Sequence, residues 1–277
     1  MDAITKIGNS IIHFGKSNNR IYLMSLDYMD LPIIVDQLDR LANENGYTKI
    51  IAKVPAYAKE IFENSGYLEE ATIPDFYCDK EDICFFSKYL DCNRQTDPFN
   101  EYCIQVLEKA KSTKVVQEKK TLDEDICCRK ANEKDVEDMA LVYQEVFKSY
   151  PFPIHDKSYL LKTMQENVIY FGIWCGKQLV ALSSIEVGKD NSNAEMTDFA
   201  TIEAYRGKGY ACYLLDEMEN ESYSMGINTA YTIARAKSYG MNITFAKQGY
   251  IYAGTLINNT NIAGHIESMN VWYKSLI

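Results

Sequence analysis

Histidine, the residue that most often anchors metal centres, is scarce in this 277-residue chain, which has only His13, His155 and His265. Its eight cysteines (Cys78, Cys84, Cys92, Cys103, Cys127, Cys128, Cys175 and Cys212) include no C-x-x-C pair and do not cluster with a histidine at zinc-type spacing. No metal site is expected, and the thiols read as free, reduced and mostly buried. Positive charge is also in deficit. Against 39 Asp and Glu stand 29 Lys and Arg, giving a net charge of -10 and a pI of about 4.9. A surface of this sign repels phosphate backbones, so nucleic-acid binding is disfavoured, and it steers amines weakly under salt screening. The chain lacks a continuous apolar run of about 18 residues. It also lacks a basic segment followed by an apolar one at the N-terminus. Neither membrane spanning nor export is indicated, and a cytoplasmic protein is expected.

What is present supports a packed fold. Apolar residues make up 47% of the chain, and its length suits one large domain or two medium ones. Short alternating or apolar runs predict strands at 21–26, 47–54 and 83–89. A helix follows Pro32, with Ile33, Ile34, Leu38 and Leu41 at helical spacing and Gly46 as its stop. Another helix is read over 55–64. The character changes between 91 and 125, where a helix after Asp97-Pro98 leads into a charged stretch. This divides the chain into an N-terminal domain (1–92), a helical linker (93–124) and a C-terminal domain (125–277). In the latter the order is strand, two helices, three strands, helix, strand, helix, two strands. Asn132 is the expected cap of its first helix, and Tyr150-Pro151-Phe152-Pro153-Ile154 is a rigid aromatic loop.

The halves also resemble each other. At a constant offset, 49–89 aligns with 232–272, placing Phe62 on Phe245, Gly66 on Gly249, Tyr67 on Tyr250 and Tyr89 on Trp272. Both stretches read strand, helix, Gly-Tyr, strand, strand.

The segment carrying the clearest chemistry is Arg206-Gly207-Lys208-Gly209-Tyr210-Ala211, between a strand ending near Ile202 and a helix beginning near Gly209. The first backbone N–H groups of a helix lack intrahelical partners and carry the positive end of its dipole. Two glycines let a phosphate approach the backbone, and Arg206 and Lys208 add charge. The product is a cradle for a pyrophosphate.

This loop resembles the Arg/Gln-x-x-Gly-x-Gly/Ala motif of the GNAT acetyltransferases, and the element order from 126 to 276 is similar to theirs. The resemblance implies an α+β (mixed α/β) GNAT fold in the C-terminal half, preceded by a degenerate GNAT-like copy that has no such loop of its own. It implies acetyl-CoA as co-substrate, held by Arg206, Gly207, Lys208, Gly209, Tyr210 and Ala211. Further segments, among them 150–154, 193–201, 235–242, 266–273 and 47–77, resemble the beta-lysine N-acetyltransferases. That likeness implies acetylation of the ε-amine of L-β-lysine to give Nε-acetyl-β-lysine, a compatible solute. It also implies a lysine 2,3-aminomutase as pathway partner. Other acceptors (a polyamine, an amino-sugar, a protein lysine) and a non-enzymatic acetyl-CoA sensor are the competing readings.

Residue roles follow from the same resemblance. Glu195, on the strand before the loop, is the expected base, with Asp198 as a second carboxylate. Alternation puts these two on opposite faces of the strand unless a β-bulge intervenes. A backbone N–H of Phe199 or Ala200 would take the oxyanion. Thr201 and Ile202 would pair with the pantetheine arm, and Asn242 would reach the cofactor or cap its helix. Tyr150 and Phe152 would shape the acceptor pocket. Arg235 would meet the substrate carboxylate, with Asn258 and Asn259 as polar neighbours, and Glu267 would anchor an ammonium. The family's usual tyrosine acid is replaced by Phe245, and the general acid is unassigned among Tyr231, Tyr239 and Tyr252.

Overall fold

The computed structural model describes residues 2–77, 80–116, 121–123, 125–188 and 192–277. Cys78 and part of the expected linker (117–120 and 124) lie outside the described residues. The first half contains β1 (Ala3–Ile7), β2 (Ser10–Gly15), β3 (Arg20–Ser25), α1 (Leu31–Asn45), β4 (Lys49–Pro55), α2 (Lys59–Asn64), β5 (Leu68–Ile73) and β6 (Ile83–Tyr89). After α3 (Asn100–Lys111) come β7 (Ile126–Lys130), α4 (Val136–Val146), α5 (Lys157–Glu166), β8 (Val168–Cys175) and β9 (Gln178–Gly188). The chain then runs through β10 (Asn193–Thr201), α6 (Tyr210–Ser224), β11 (Thr229–Arg235), α7 (Tyr239–Lys247), β12 (Ile251–Ile262) and β13 (His265–Ser275).

Helix ends form where the sequence supplies partners. Gly46, left-handed at φ 62°, closes α1 by donating to the carbonyl of Ala42, while Ile34, Val35, Leu38 and Ala42 bury its apolar face. Asn132 and Asp135 form a reciprocal capping box ahead of α4. The hairpin of β1 and β2 went unread in the sequence, because β1 is a short, exposed edge strand with no apolar face. The helix expected in the linker exists as α3 and packs on α7, with the Tyr102 and Tyr239 rings 5.7 Å apart and Lys237 Nζ 3.6 Å from the Phe99 ring centre. None of the seven described cysteines is in a disulfide, and only Cys84 and Cys103 are buried, which corrects the expectation of mostly buried thiols.

Among the described residues, thirteen strands form one sheet in the order β1-β2-β3-β4-β6-β5-β12-β13-β11-β10-β9-β8-β7. The order contains a repeat. In each half a parallel pair (β3 with β4, β10 with β11) encloses a helix, and an antiparallel pair follows (β4 with β6, β11 with β13). The self-alignment holds at the level of register: Lys49 pairs with Tyr89 and Ile50 with Lys88, just as Thr232 pairs with Trp272 and Ile233 with Val271. The N-terminal half is thus a partial copy lacking the counterparts of β7, α4 and α5.

The halves meet edge to edge at β5 and β12, where Ala71 pairs with Gly254. A Cβ on Gly254 would lie 2.0 Å from the Glu70 carbonyl oxygen, and its φ of +156° also disfavours a side chain. Beyond that contact β12 breaks register between Leu256 and Thr260, with Asn258 at φ 44°. The backbone groups released there are taken by the first half and the start of the linker. Fully buried Lys49 donates to the Ile257 carbonyl at 2.7 Å and to Glu70, and Glu70 accepts from the Ile257 N–H at 3.1 Å. Arg94 Nε donates to the Asn258 carbonyl at 2.7 Å, and Asn258 Nδ2 returns bonds to the carbonyls of Arg94 and Thr96. One apolar cluster, including Ile51, Phe85, Leu256 and Val271, crosses the seam. Gly254→Ala should therefore force β5 and β12 apart. A loss of about 1–3 kcal/mol is expected, read as a Tm lowered by several degrees in thermal denaturation.

Candidate active site

Strands β10 and β11 run parallel for only three pairs, ending at Glu195 with Tyr231, and then separate. On its other side β10 stays with β9 as far as Thr201, through a register shift between Thr197 and Ala200. The result is a sheet split open at its centre, with one flank of β10 unpaired beyond Glu195. The slot opens into a cleft of about 810 Å³ between the end of β10, the start of α6, and α7. Gly207 and Gly209 are both left-handed, at φ 80° and 84°, and a Cβ at Gly207 would meet nothing. Gly209 caps α6 without a side-chain bond, so the first N–H groups of the helix remain available. The residues present fit a ligand with an extended arm and a pyrophosphate.

Phe199, Thr201, Arg206, Gly207, Gly209, Tyr210 and Ala211 line this cleft. Lys208 does not; it lies over the Tyr205 ring at 5.1 Å. Three further expectations are corrected. Ile202 spends its N–H on the Val180 carbonyl, its own carbonyl already accepts from Tyr205, and it lines neither cavity. Ala200 is buried, pairs with Leu182 and lines neither cavity, leaving Phe199 as the bulge residue at the site. Asn242 is fully buried and neither touches the cleft nor caps α7. Its Nδ2 donates to the carbonyls of Arg235 and Ser238, and its Oδ1 accepts from Asn270 and Trp272, which exhausts its hydrogen-bonding capacity. The cap of α7 is Ser238.

A second cavity, of about 170 Å³, lies behind the split and shares Phe147, Phe199, Arg235 and Met241 with the cleft. Glu195, Asp198, Tyr150 and Phe152 line it. The bulge resolves the alternation problem: Asp198 adopts φ +56°, which turns it into the same cavity as Glu195. Tyr150 Oη donates to Asp198 Oδ1 at 2.5 Å and Ser184 Oγ to Oδ2 at 2.6 Å, so Asp198 is held by hydroxyls. Arg235 lines both cavities, but it is bidentate to Glu267 at 2.8 and 2.9 Å. Glu267 is buried, also 2.7 Å from His265, and lines neither cavity, so it orients Arg235 and does not meet a substrate amine.

Sequence reasoning left open that the first half completes the acceptor pocket but named none of its residues there. Arg20, Tyr22, Met24 and Lys53 line this second cavity. It also missed Glu186, which pairs directly across from Glu195 on β9 and was legible as its hairpin neighbour. Burial, and next the Glu186 charge, push the Glu195 carboxyl up to about 7, while Lys53 and a hydrogen bond from Tyr231 oppose the rise. Burial also raises Asp198. A carboxyl poised there takes up and releases protons near neutral pH. None of Tyr231, Tyr239 and Tyr252 lines either cavity, and Phe245 is buried against Phe199 and Tyr250 at 5.6 and 5.0 Å. Among the described residues no group of three or more His, Cys, Asp or Glu could hold a metal, and no helix is long and apolar enough to cross a membrane.

Comparison with known proteins places this geometry. Residues 139–250 match the Acetyltransferase (GNAT) family. The chain is 43% identical over 274 residues to the beta-lysine N(6)-acetyltransferase of Methanococcus maripaludis, covering 99% of each protein. It is 33% identical to the beta-lysine N(6)-acetyltransferase of Methanosarcina mazei, covering 88% of this chain and 97% of that protein. It is 32% identical to the N-acetyltransferase YodP of Bacillus subtilis, over 85% of each. The electrostatic reading of the cavity is testable without turnover. Removing the facing charge in Glu186→Gln should lower the pH at which Glu195 ionises, followed by carbon-13 NMR of the glutamate carboxyls. An unmoved titration would show that Glu186 does not act on Glu195.

Proposed function

The chain belongs to the beta-lysine N6-acetyltransferase family, within the GNAT acetyltransferases, and from that premise we propose that it acetylates the ε-amine of L-β-lysine to give Nε-acetyl-β-lysine. It is an acyltransferase, and acetyl-CoA is its acyl donor. The observation that carries the choice of acceptor is the reach of the likeness: identity of 43% extends over 99% of the chain. It therefore includes the half that supplies Arg20, Tyr22, Met24 and Lys53 to the second cavity. A likeness confined to the cleft would support only acetyl transfer in general.

The cleft holds the donor, with the unpaired flank of β10 beside the pantetheine arm and the start of α6 at the pyrophosphate. The acceptor amine enters from the second cavity and meets the thioester at the junction lined by Phe199. A lysine-type amine has a pKa near 10.4 and arrives as an ammonium without a lone pair. Glu195, half-buried beside the junction, takes one proton from it and passes it to solvent. The nitrogen then attacks the carbonyl carbon, and the Phe199 N–H at the bulge stabilises the charge gathering on the carbonyl oxygen. The attacking nitrogen carries two protons; when the C–S bond breaks one stays in the amide and the other passes to the departing thiolate, so no side-chain acid is required where Phe245 stands. Asp198, fixed by Tyr150 and Ser184, adds negative potential that favours a diamine.

The reading places the protein in the cytoplasm, after a lysine 2,3-aminomutase that supplies β-lysine, in the synthesis of a compatible solute. Thiol release from acetyl-CoA should be fastest with β-lysine when compared with lysine, spermidine and a lysine peptide. The ionised fraction of Glu195 rises with pH, so kcat/KM should climb through about pH 7. Glu195→Gln should lose roughly 10²- to 10⁴-fold in rate near neutrality and lose that limb of the profile. An unaltered rate would remove Glu195 from the mechanism.

A further inference from the structure

The second cavity contains three cations, and their partners differ. Arg235 is neutralised by Glu267 through two hydrogen bonds. Lys53 lies close enough to Glu195 and Glu186 to lower the pKa of both. Arg20 has no carboxylate partner among the described residues. It is 4% exposed, its Nη1 donates to the Asn259 carbonyl and at 3.2 Å to Thr260 Oγ1, and its Nε is buried with no acceptor. Beside it the Asn259 side chain, 3% exposed and lining the same cavity, keeps Oδ1 buried with no donor. An unpaired guanidinium donor and an unpaired amide acceptor thus belong to two neighbouring residues of one cavity's lining. Each is costly to bury unless a ligand completes it.

Position separates these groups from Arg235. Arg235 lines both cavities and therefore stands at the acyl end, whereas Arg20 and Asn259 line only the second. If the ε-amine reacts at the junction, the carboxylate and the β-ammonium of the substrate lie at the other end of its carbon chain. We propose that Arg20 and Asn259 form the head-group subsite of the acceptor: the Arg20 guanidinium binds the substrate carboxylate, and Asn259 Oδ1 accepts from its β-ammonium. This rests on the β-lysine reading of the same cavity and assigns specificity to the partial N-terminal copy. Arg20 is a specificity residue, remote from the reacting atoms, and Arg235 is left to orient groups at the junction.

The experiment is steady-state kcat/KM with three acceptors, namely β-lysine, its carboxamide and 6-aminohexanoate, for the wild type, Arg20→Gln, Arg20→Lys and Asn259→Ala. The wild type should prefer β-lysine to the carboxamide by on the order of 100-fold, the scale of a buried charge pair. In Arg20→Gln that ratio should collapse toward unity through KM, and Arg20→Lys, which keeps the charge without the fork, should restore part of it. Asn259→Ala should erase the preference for β-lysine over 6-aminohexanoate. A wild-type ratio near unity overturns the inference without any variant, whatever the variants' folding. Robust β-lysine turnover with the ratio intact in Arg20→Gln, or an equal fall with every acceptor, overturns this subsite alone. A wild type that prefers an amine without a carboxylate overturns both the subsite and the β-lysine reading.

Discussion

The seam between β5 and β12 is the constraint on which the site depends. Each half ends in an open sheet edge, and an open edge exposes unpaired backbone groups. Here the two edges close on each other, but with only one ladder pair before β12 breaks register. The break is what gives the cavity its residues: Asn259, Thr260 and Ile262 line it just beyond the irregularity. The backbone groups left by the break would be costly if unpaired, and Lys49 and Glu70 of the first half, with Arg94 at the start of the linker, satisfy them. Burial lowers the pKa of Lys49 to about 8 and of Arg94 to about 10, yet both keep the acceptors that stabilise their charge. The seam is therefore a polar junction of specified geometry, flanked by an apolar cluster. Rigidity at that junction matters because the acceptor cavity takes one wall from each half.

Within that frame a single irregularity organises the chemistry. Removing two residues of β10 from register with β9 does three things at once. It brings Asp198 into the cavity of Glu195, places Phe199 where both cavities meet, and leaves the flank of β10 toward β11 unpaired. A regular strand would have separated the two carboxylates by alternation. Burial first, and then the charge of Glu186, raises the proton affinity of Glu195, a gain in basicity that follows from placing a carboxyl in a desolvated space beside like charge. The same negative potential suits an acceptor carrying two ammonium groups.

How far the sequence reveals all this depends on the kind of signal. The glycine loop was legible because its signal is local: the glycines lie in the short stretch between the strand end at Thr201 and the helix start at Tyr210. Glu195 and the bulge followed from the resemblance, and the repeat from an offset that survives as register. Asn242, Ile202 and Glu267 misled for one reason. A polar group seen in sequence looks available, and only the fold shows that Trp272, Val180 and Arg235 have already taken its bonds. Arg20 was invisible for the converse reason. A lone arginine on a short strand has no local mark of function, and its significance is an unmet hydrogen bond far from the motif in sequence.

The duplication raises the question of why one cradle exists and not two. The counterpart of the β10–α6 loop in the first half is the turn between β3 and α1, which carries Asp27 and Asp30 where the other half has Arg206 and Lys208. Asp27 caps its own turn by accepting from Met29, and Asp30 accepts from Asn9 N–H, Ser10 N–H and Ser10 Oγ. Those bonds hold Asp30 below the usual carboxylate range, so it stays ionised. A phosphate approaching this turn would meet two carboxylates, where the other half presents Arg206 and the left-handed glycines at 207 and 209. Charge thus sets this turn apart from the glycine loop of the other half, although both halves share one sheet. Strands β3 and β4 of the first half instead contribute Arg20, Tyr22 and Lys53 to the lining of the second cavity. On the proposed reading the two halves divide the reaction between them, one binding the acyl donor and the other completing the wall that receives the amine.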